Sequence, residues 1–141
     1  MRLNTIVNAM TLVVLLVLAM GLALDAREIH WTAARIVGAA ITAGSLALGL
    51  LARLQLGESF SVSAKARKLV TTGLYSRIRN PIYFFGELLF VGIAIIAWRW
   101  EVLLIAAALA PVQIVRAKKE EAVLAATFGE EYERYKAGTW F

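Results

Sequence analysis

Four long apolar stretches divide the chain, and polar residues separate them. The first, residues 3–24, holds no ionisable side chain, and the second, residues 33–53, carries arginines only near its two ends. The third and fourth, residues 81–98 and 102–117, are joined by a very short connection. An apolar run of about 20 residues is the length that an α-helix needs to cross the hydrocarbon core of a bilayer. The pattern predicts an all-α integral membrane bundle of four transmembrane helices.

Two segments lie outside these predicted spans. Residues 54–80 form a long loop of mixed character, and residues 118–141 form a C-terminal tail. Apolar and aromatic side chains recur at helical spacing in the tail, which predicts an amphipathic helix that either lies on the membrane surface or folds back over the bundle. These side chains are Leu124, Phe128, Tyr132 and Tyr135. The whole chain, residues 1–141, is expected to form a single membrane domain.

The composition supports a membrane protein and excludes several kinds of site. Hydrophobic residues make up 60% of the chain, whereas a soluble domain is close to half apolar. The chain has no cysteine, so disulfides, thiolate metal ligands and cysteine nucleophiles are excluded. His30 is the only histidine, and no metal site is expected.

The distribution of basic residues predicts the orientation in the membrane. Of the 15 lysines and arginines, 12 lie at the N-terminus, in residues 53–79 or in residues 116–141. The positive-inside rule therefore places both termini and the loop in the cytoplasm. Anionic lipid headgroups explain the basic excess, and no nucleic-acid partner is expected.

Polar residues gather at the start of the third span. Asn80 is a favourable N-cap and Pro81 fits the first helical turn. The positive end of this helix, beside Arg77 and Arg79, can receive a carboxylate from a ligand. In the alternative interpretation, the Asn-Pro pair only starts the helix and the arginines contact lipid phosphates.

Ionisable residues inside the spans offer two further candidates. Glu87 shares a helical face with Tyr83, four residues earlier, and it either faces a site or pairs with Arg53 or Arg79. Arg116 and Glu120 are also four residues apart, at the predicted exit of the fourth span. They form either a surface ion pair worth roughly 0.3 to 0.5 kcal/mol or part of a site. In a site, the carboxylate can hold a sulfonium, an α-amino group or a ribose hydroxyl.

Three segments of the chain resemble a known enzyme superfamily. They are ARLQLGESFS (52–61), KLVTTGLYSRIRNPIY (68–83) and EEAVLAATFGEEYERYK (120–136), and they occur in the same order as the signatures of the isoprenylcysteine carboxyl methyltransferases and phospholipid methyltransferases. Those proteins are integral membrane enzymes that use S-adenosylmethionine. The resemblance covers residues from about 44 to 136.

The resemblance implies roles for particular residues. It implies that Arg116 orients the methyl acceptor and that Tyr83 takes part in catalysis. Asn80 stands where the commoner family form has histidine. The implied contacts with S-adenosylmethionine come from Arg67, Lys68, Leu69, Val70, Tyr75, Asn80, Pro81, Ile82, Tyr83, Glu120 and Glu121.

The sequence thus predicts a multi-pass membrane methyltransferase with a cytoplasmic active site. Its predicted partners are membrane lipids and a lipophilic methyl acceptor, and its product from the donor is S-adenosylhomocysteine. The motifs are most like those of a carboxyl methyltransferase, while a phospholipid amine or a small thiol remains open as the acceptor. A homodimer remains open as well. The alternative from a different class is a non-catalytic four-helix scaffold or transporter subunit.

Overall fold

A computed structural model of the protein describes residues 30–56 and 69–140. In these two ranges there are four α-helices and no β-strand, and one isolated parallel β-bridge pairs Ile78 with Trp140. A 3-10 helix, Gly73–Ser76, precedes the second α-helix. The prediction of an all-α fold is confirmed for this part of the chain. The α-helices are α1 (Ala33–Leu56), α2 (Pro81–Ala97), α3 (Glu101–Phe128) and α4 (Glu130–Ala137).

One helix of the described ranges meets the length and hydropathy expected of a membrane span. It is α1, whose 24 residues extend for about 36 Å at 1.5 Å per residue, and whose outward side chains are mostly exposed apolar residues. The helix α2 is strongly apolar but has only 17 residues. The helix predicted over residues 3–24 lies outside the described residues. A bundle of four spans therefore stays a prediction.

Small residues allow α1 and α2 to pack almost backbone to backbone. A Cβ atom added to Gly38 would lie 2.8 Å from Cγ2 of Ile95, and one added to Gly92 would overlap Thr42. Close approach of this kind is the usual way in which membrane helices associate. Gly38 and Gly92 are therefore the two positions at which α1 and α2 approach each other most closely among the glycines of these helices. Within the two described ranges, no atom lies within contact distance of a Cβ atom added to Gly44.

The helices α2 and α3 form an antiparallel hairpin with an apolar core near its tip. Trp98 ends α2 in the left-handed conformation, with φ of 54°, and Arg99 N–H donates to the Ala94 carbonyl at 3.1 Å. Trp98 and Trp100 are exposed at the tip. The buried side chains that hold the two helices together are Phe90, Ile93, Ala94, Val102 and Ala106. The start of α2, with its polar residues, lies at the other end of the hairpin from this core.

The helix α3 continues well past the predicted end of the fourth span. It runs unbroken from Glu101 to Phe128, so the predicted boundary between residues 117 and 118 falls inside a helix. Neither glycine nor proline occurs between Arg116 and Phe128, and nothing interrupts the hydrogen-bonding pattern there. Gly129, with φ of 52°, then turns the chain into α4.

Candidate functional site

All four tyrosines of the chain gather where α2 begins and where α3 leaves the predicted membrane region. Four elements meet there: the segment of residues 73–80, the first turn of α2, the C-terminal half of α3, and α4. Tyr75 belongs to the first of these, Tyr83 to the second, and Tyr132 and Tyr135 to the last. Residues that are up to 60 positions apart in sequence therefore share one site.

The contact between α2 and α3 is centred on Tyr83. Its hydroxyl donates a hydrogen bond to Oε1 of Glu120 at 2.7 Å. The guanidinium carbon of Arg116 lies 5.8 Å from the centroid of the Tyr83 ring, a distance typical of a cation–π contact. Arg116 and Glu120 are one helical turn apart on α3, so both reach the same aromatic ring. The structure thus brings together three of the residues singled out from the sequence.

The neighbouring carboxylate, Glu121, is occupied by two partners. Its Oε1 accepts a hydrogen bond from Nδ2 of Asn80 at 3.0 Å and lies 3.5 Å from Nε of Arg79. The side chains of Arg79 and Glu121 are only 17% and 22% exposed, so solvent screens this pair less than an exposed ion pair. Glu121 therefore fixes the segment before α2 onto α3, whereas Glu120 accepts the hydrogen bond of Tyr83.

Asn80 occupies the N-cap position of α2 but does not cap it. Its side chain makes no hydrogen bond with the first turn and reaches across to Glu121 instead. The predicted capping role of the Asn80 side chain is therefore wrong, and the reason is that a bond to a carboxylate is stronger than a bond to a neutral amide. The backbone N–H groups of Ile82 and Tyr83 consequently receive no side-chain cap, and the positive end of α2 points into the site.

A turn at Gly73 determines the position of Tyr75 in the site. Gly73 has φ of +63°, and an added Cβ atom would overlap the side-chain amide of Gln55 at the end of α1. Oε1 of Gln55 accepts a hydrogen bond from the Leu74 N–H at 2.9 Å. This connection ties α1 to the 3-10 helix and buries Tyr75, which is 6% exposed. Sequence reasoning missed Gln55 and Gly73, although glycine is by itself a common signal for a turn.

The helix α4 folds back over the segment of residues 73–80. The Tyr135 hydroxyl donates to the Tyr75 carbonyl at 2.7 Å, and the Trp140 N–H donates to the Arg77 carbonyl at 2.7 Å. Tyr132 is 1% exposed, and its ring centroid lies 6.1 Å from that of Tyr135. Of the two expectations for the amphipathic tail, the described residues show the second, in which it folds over the bundle.

The tyrosines outside the predicted spans remain neutral over the physiological pH range. Burial raises the pKa of Tyr75, with further contributions from Tyr135 and Glu120. Burial also raises the pKa of Tyr135 to about 12 and that of Tyr132 above its usual range. A neutral phenol donates a hydrogen bond and does not act as a base. These side chains are therefore suited to hold and orient other groups.

Glu120 differs from an ordinary surface glutamate. Part of its side chain is open to solvent, yet burial of the carboxyl group raises its pKa, and this effect exceeds the opposite effects of the Tyr83 hydroxyl and the Arg116 charge. An incompletely solvated carboxylate gains more from binding a cation than a fully solvated one does. Its position and environment therefore suit it to a positively charged ligand group.

The remaining predicted residues fall into two groups. Arg67 and Lys68 lie outside the described residues. Pro81 is buried at the first position of α2, and Ile82 follows it, half-buried. Leu69 is buried and Val70 is half-buried at the start of the second described range.

Glu87 does not pair with Arg79, because Arg79 pairs with Glu121. That half of the predicted alternative is wrong. The Oε1 atom of Glu87 is buried and has no hydrogen-bond partner within residues 30–56 and 69–140.

Comparison with known families gives a match over most of the chain. Residues 33–131, which are 99 of the 141 residues, match the model of the family described as phospholipid methyltransferase. The matched stretch begins with α1 and ends within α4, so it includes every contact of Tyr83, Glu120 and Glu121 described above. No curated protein and no solved structure matches the chain.

Proposed function

This chain belongs to the phospholipid methyltransferase family, and from this premise we propose that it is an S-adenosylmethionine-dependent membrane methyltransferase with a lipophilic acceptor. The observation that carries the proposal is the hydrogen bond from Tyr83 to Glu120. It joins the entry of α2 to the acidic pair on α3, so that a positive helix end and a carboxylate face the same site. The apolar helix α1 and the family both support a membrane protein.

The residues of this site fit the charges of the methyl donor. S-Adenosylmethionine carries a carboxylate together with two positive groups, the α-amino group and the sulfonium. The uncapped start of α2, beside Arg79, suits the carboxylate. Glu120 suits the α-amino group, which the donor and its product both carry, because Tyr83 binds only Oε1 of its carboxylate. Glu121 is already held by Asn80 and Arg79, so in this proposal it positions the site and does not bind the donor directly.

The donor supplies an activated methyl group on sulfur, so the protein does not need a nucleophile of its own. The residues of the chain instead align the two reactants and exclude water, which is worth up to about 7 kcal/mol when the geometry is well held. Tyr83 keeps the Glu120 carboxylate in one orientation through its hydrogen bond. Arg116, stacked on Tyr83, stands at the boundary between the polar site and the apolar part of the hairpin, and we assign it to the acceptor side.

Calorimetry with S-adenosylhomocysteine tests the proposal. The full chain, purified in detergent, is expected to bind this ligand saturably, and Glu120→Ala is expected to weaken binding by about 10-fold or more. Glu130→Ala is the matched control, since Glu130 is exposed on α4 and has no role in the site. Arg116→Ala is expected to keep donor affinity and lose methyl transfer to lipid. Absence of saturable binding by the unmodified chain would overturn the proposal and favour a non-catalytic scaffold.

A further inference from the structure

Three exposed tryptophans lie at the end of the helices that is remote from the candidate site. Trp31 shortly precedes α1, and Trp98 and Trp100 flank Arg99 in the connection between α2 and α3. The exposed fractions of the three tryptophans are 63%, 71% and 67%. Tryptophan is highly buried on average in folded proteins, and exposed apolar surface of this size indicates an interaction surface.

The packing of α1 against α2 places all three tryptophans at the same end. A Cβ atom added to Gly38 would contact Ile95, and one added to Gly49 would lie 3.6 Å from Cβ of Phe85. Residue numbers therefore rise along α1 as they fall along α2, so the two helices are antiparallel. The start of α1, which Trp31 precedes, thus lies beside the end of α2 that leads into the hairpin tip. The candidate site is at the other end, where α2 begins.

The backbone of the tip is held by hydrogen bonds, although Trp98 adopts an unfavourable conformation. The Arg99 N–H donates to the Ala94 carbonyl at 3.1 Å, and the Leu103 N–H donates to the Trp100 carbonyl at 2.9 Å. Trp98 has φ of 54° and is the only residue other than glycine with a positive φ in the described ranges. A side chain in this left-handed conformation costs free energy that glycine avoids. Tryptophan at this position therefore opposes local stability, which favours a function for its exposed ring.

A phospholipid bilayer fits the chemistry around the tip. An indole ring combines an apolar face with one N–H donor, and tryptophan is enriched where lipid headgroups meet hydrocarbon. Arg99 is exposed between the two rings of the tip and can bind a lipid phosphate. Next to the tip, α1 and α3 expose Ile36, Leu103 and Leu104, so apolar surface continues from the tip toward the middle of the helices. A polar layer followed by an apolar one is the order that a bilayer presents.

We propose that Trp31, Trp98 and Trp100 bind the headgroup layer of a phospholipid bilayer and thereby set the depth of the candidate site, so that a thicker bilayer lowers the affinity for the donor. The tryptophans bind the leaflet that is remote from the site, and Arg99 adds an ionic contact with lipid phosphate. The consequence for the donor rests on the proposed function, whereas the binding of the tip to the bilayer does not.

The length of α2 links the tip to the site. This helix has 17 residues and extends for about 26 Å at 1.5 Å per residue, whereas the hydrocarbon core of a bilayer is about 30 Å thick. When the tip is held in one headgroup layer, the start of α2 therefore ends short of the other layer, unless the bilayer becomes thinner. Tyr83 and Glu120 then lie below the surface that a soluble donor approaches. A thicker bilayer moves them deeper and makes the approach of a charged donor less favourable.

Fluorescence quenching tests the contact with lipid. The full chain with Trp140→Phe keeps only the three tryptophans of interest, because the sequence has four. It is reconstituted in nanodiscs of dioleoyl phosphatidylcholine that contain a brominated form of this lipid, with bromine near either the carbonyl end or the methyl end of the acyl chains. Quenching by the first form is expected to be at least about twofold stronger. Stronger quenching by the second form, or quenching by neither, would overturn the proposal, and a crosslinked dimer without quenching would show that a second copy covers the tip.

A variant at Trp98 separates lipid contact from folding. Trp98→Gly removes the ring and introduces the residue that prefers a left-handed backbone, so the Tm in detergent is expected to stay equal or to rise. A lower Tm would show that the ring stabilises the fold itself and would overturn its assignment to lipid.

The thickness of the bilayer gives a further test. The affinity for S-adenosylhomocysteine is measured in nanodiscs of dimyristoleoyl, dioleoyl and dierucoyl phosphatidylcholine, whose acyl chains increase in length. The unmodified chain is expected to lose about 10-fold in affinity from the thinnest to the thickest bilayer, and Trp98→Gly combined with Trp100→Ala is expected to reduce this loss to less than about threefold. Glu101→Gln, exposed beside the tip, is the control and is expected to keep the full dependence. Affinity that is independent of thickness in the unmodified chain, or a dependence that the tip variant keeps in full, would overturn the link between tip and site.

Failure of this inference and failure of the methyltransferase proposal give different results. If the chain binds S-adenosylhomocysteine but brominated lipid does not quench the tip, the tip surface is wrong and the methyltransferase proposal stands. If brominated lipid quenches the tip but the chain does not bind S-adenosylhomocysteine in detergent or in any nanodisc, the methyltransferase proposal is wrong. The tip is then supported as a bilayer-binding surface alone.

Discussion

The hydroxyl of Tyr83 donates a hydrogen bond of 2.7 Å to Glu120, and this bond joins two helices across 37 positions of the sequence. The neighbour of Glu120, Glu121, accepts a hydrogen bond from Asn80 and forms an ion pair with Arg79. Two adjacent carboxylates on one helix therefore have different tasks. In the proposed function Glu120 binds the donor, and Glu121 holds the segment that leads into α2.

The raised pKa of the Glu120 carboxyl predicts a pH-dependent affinity for the donor product. The charged form of Glu120 is the one that holds a cation, so affinity for S-adenosylhomocysteine is expected to fall as the pH falls through this raised pKa. For an ordinary carboxyl group the fall would occur at a lower pH, near its usual pKa of about 4.3. Calorimetry from about pH 4, near the ordinary carboxyl pKa, to about pH 8 measures the change.

Stability is expected to change with pH in the opposite direction. Between the ordinary carboxyl pKa and the raised one, the folded protein keeps a proton that the unfolded chain has released, so the free energy of unfolding falls as the pH rises. Glu120→Gln is the control, because it cannot ionise and is expected to show neither dependence. An affinity that is flat over this range in the unmodified chain would contradict the placement of Glu120 against the donor.

Glu121→Ala is expected to act mainly on stability. It removes the hydrogen bond from Asn80 and the ion pair with Arg79, both at a largely buried position, and the expected loss is about 1 to 3 kcal/mol. Thermal unfolding in detergent measures the loss, and Glu130→Ala on α4 serves as the exposed control. A double-mutant cycle with Asn80→Ala is expected to give a coupling energy clearly above zero. Additive losses would show that the two side chains act independently.

Two tyrosine variants compare a hydroxyl that donates a hydrogen bond with a buried hydroxyl that has no partner among the described residues. Tyr135→Phe removes the donor to the Tyr75 carbonyl and is expected to destabilise the fold by about 1 kcal/mol. The Tyr132 hydroxyl is buried and has no hydrogen-bond partner in the described part of the chain, so Tyr132→Phe is expected to be neutral or stabilising. Thermal unfolding and protease sensitivity of α4 give the comparison. The reverse order of stabilities would contradict the described packing of α4.

Gly73→Ala is expected to disturb the turn that carries Tyr75. The backbone there is left-handed, with φ of +63°, and the new methyl group would overlap Gln55. We expect a loss of about 1 to 2 kcal/mol in the free energy of unfolding. Gly44→Ala is the matched control, because no described residue lies near a Cβ atom added there, and it is expected to be neutral or stabilising. Equal Tm values for the two variants would contradict this account.

Much of the fold was predictable because it depends on local properties of the chain. The apolar runs predicted the helices α1 and α2 at nearly their described limits, since hydrophobic pattern and helix formers act over a few turns. The end of α3 was predicted too early, because the change from apolar to charged residues near Arg116 marks the limit of an apolar surface and not the end of a helix. Only Gly129 ends the helix.

The candidate site was predictable as a set of residues but not as an arrangement. Sequence spacing alone paired Tyr83 with Glu87 and Arg116 with Glu120, because such pairs share one face of one helix. The contacts between helices depend on register and crossing, and these follow from the close approach of α1 and α2 and from the apolar core of the hairpin.

The sequence by itself determined the apolar helices, the polar entry to α2 and the acidic pair on α3. The tertiary structure decided that Asn80 binds Glu121 and does not cap its own helix, and that Tyr135 reaches back to the Tyr75 carbonyl. The reason is physical. A hydrogen bond to a carboxylate or a buried carbonyl of another element becomes available only after packing has brought that element within 3 Å or so, whereas helix formation needs only neighbours along the chain.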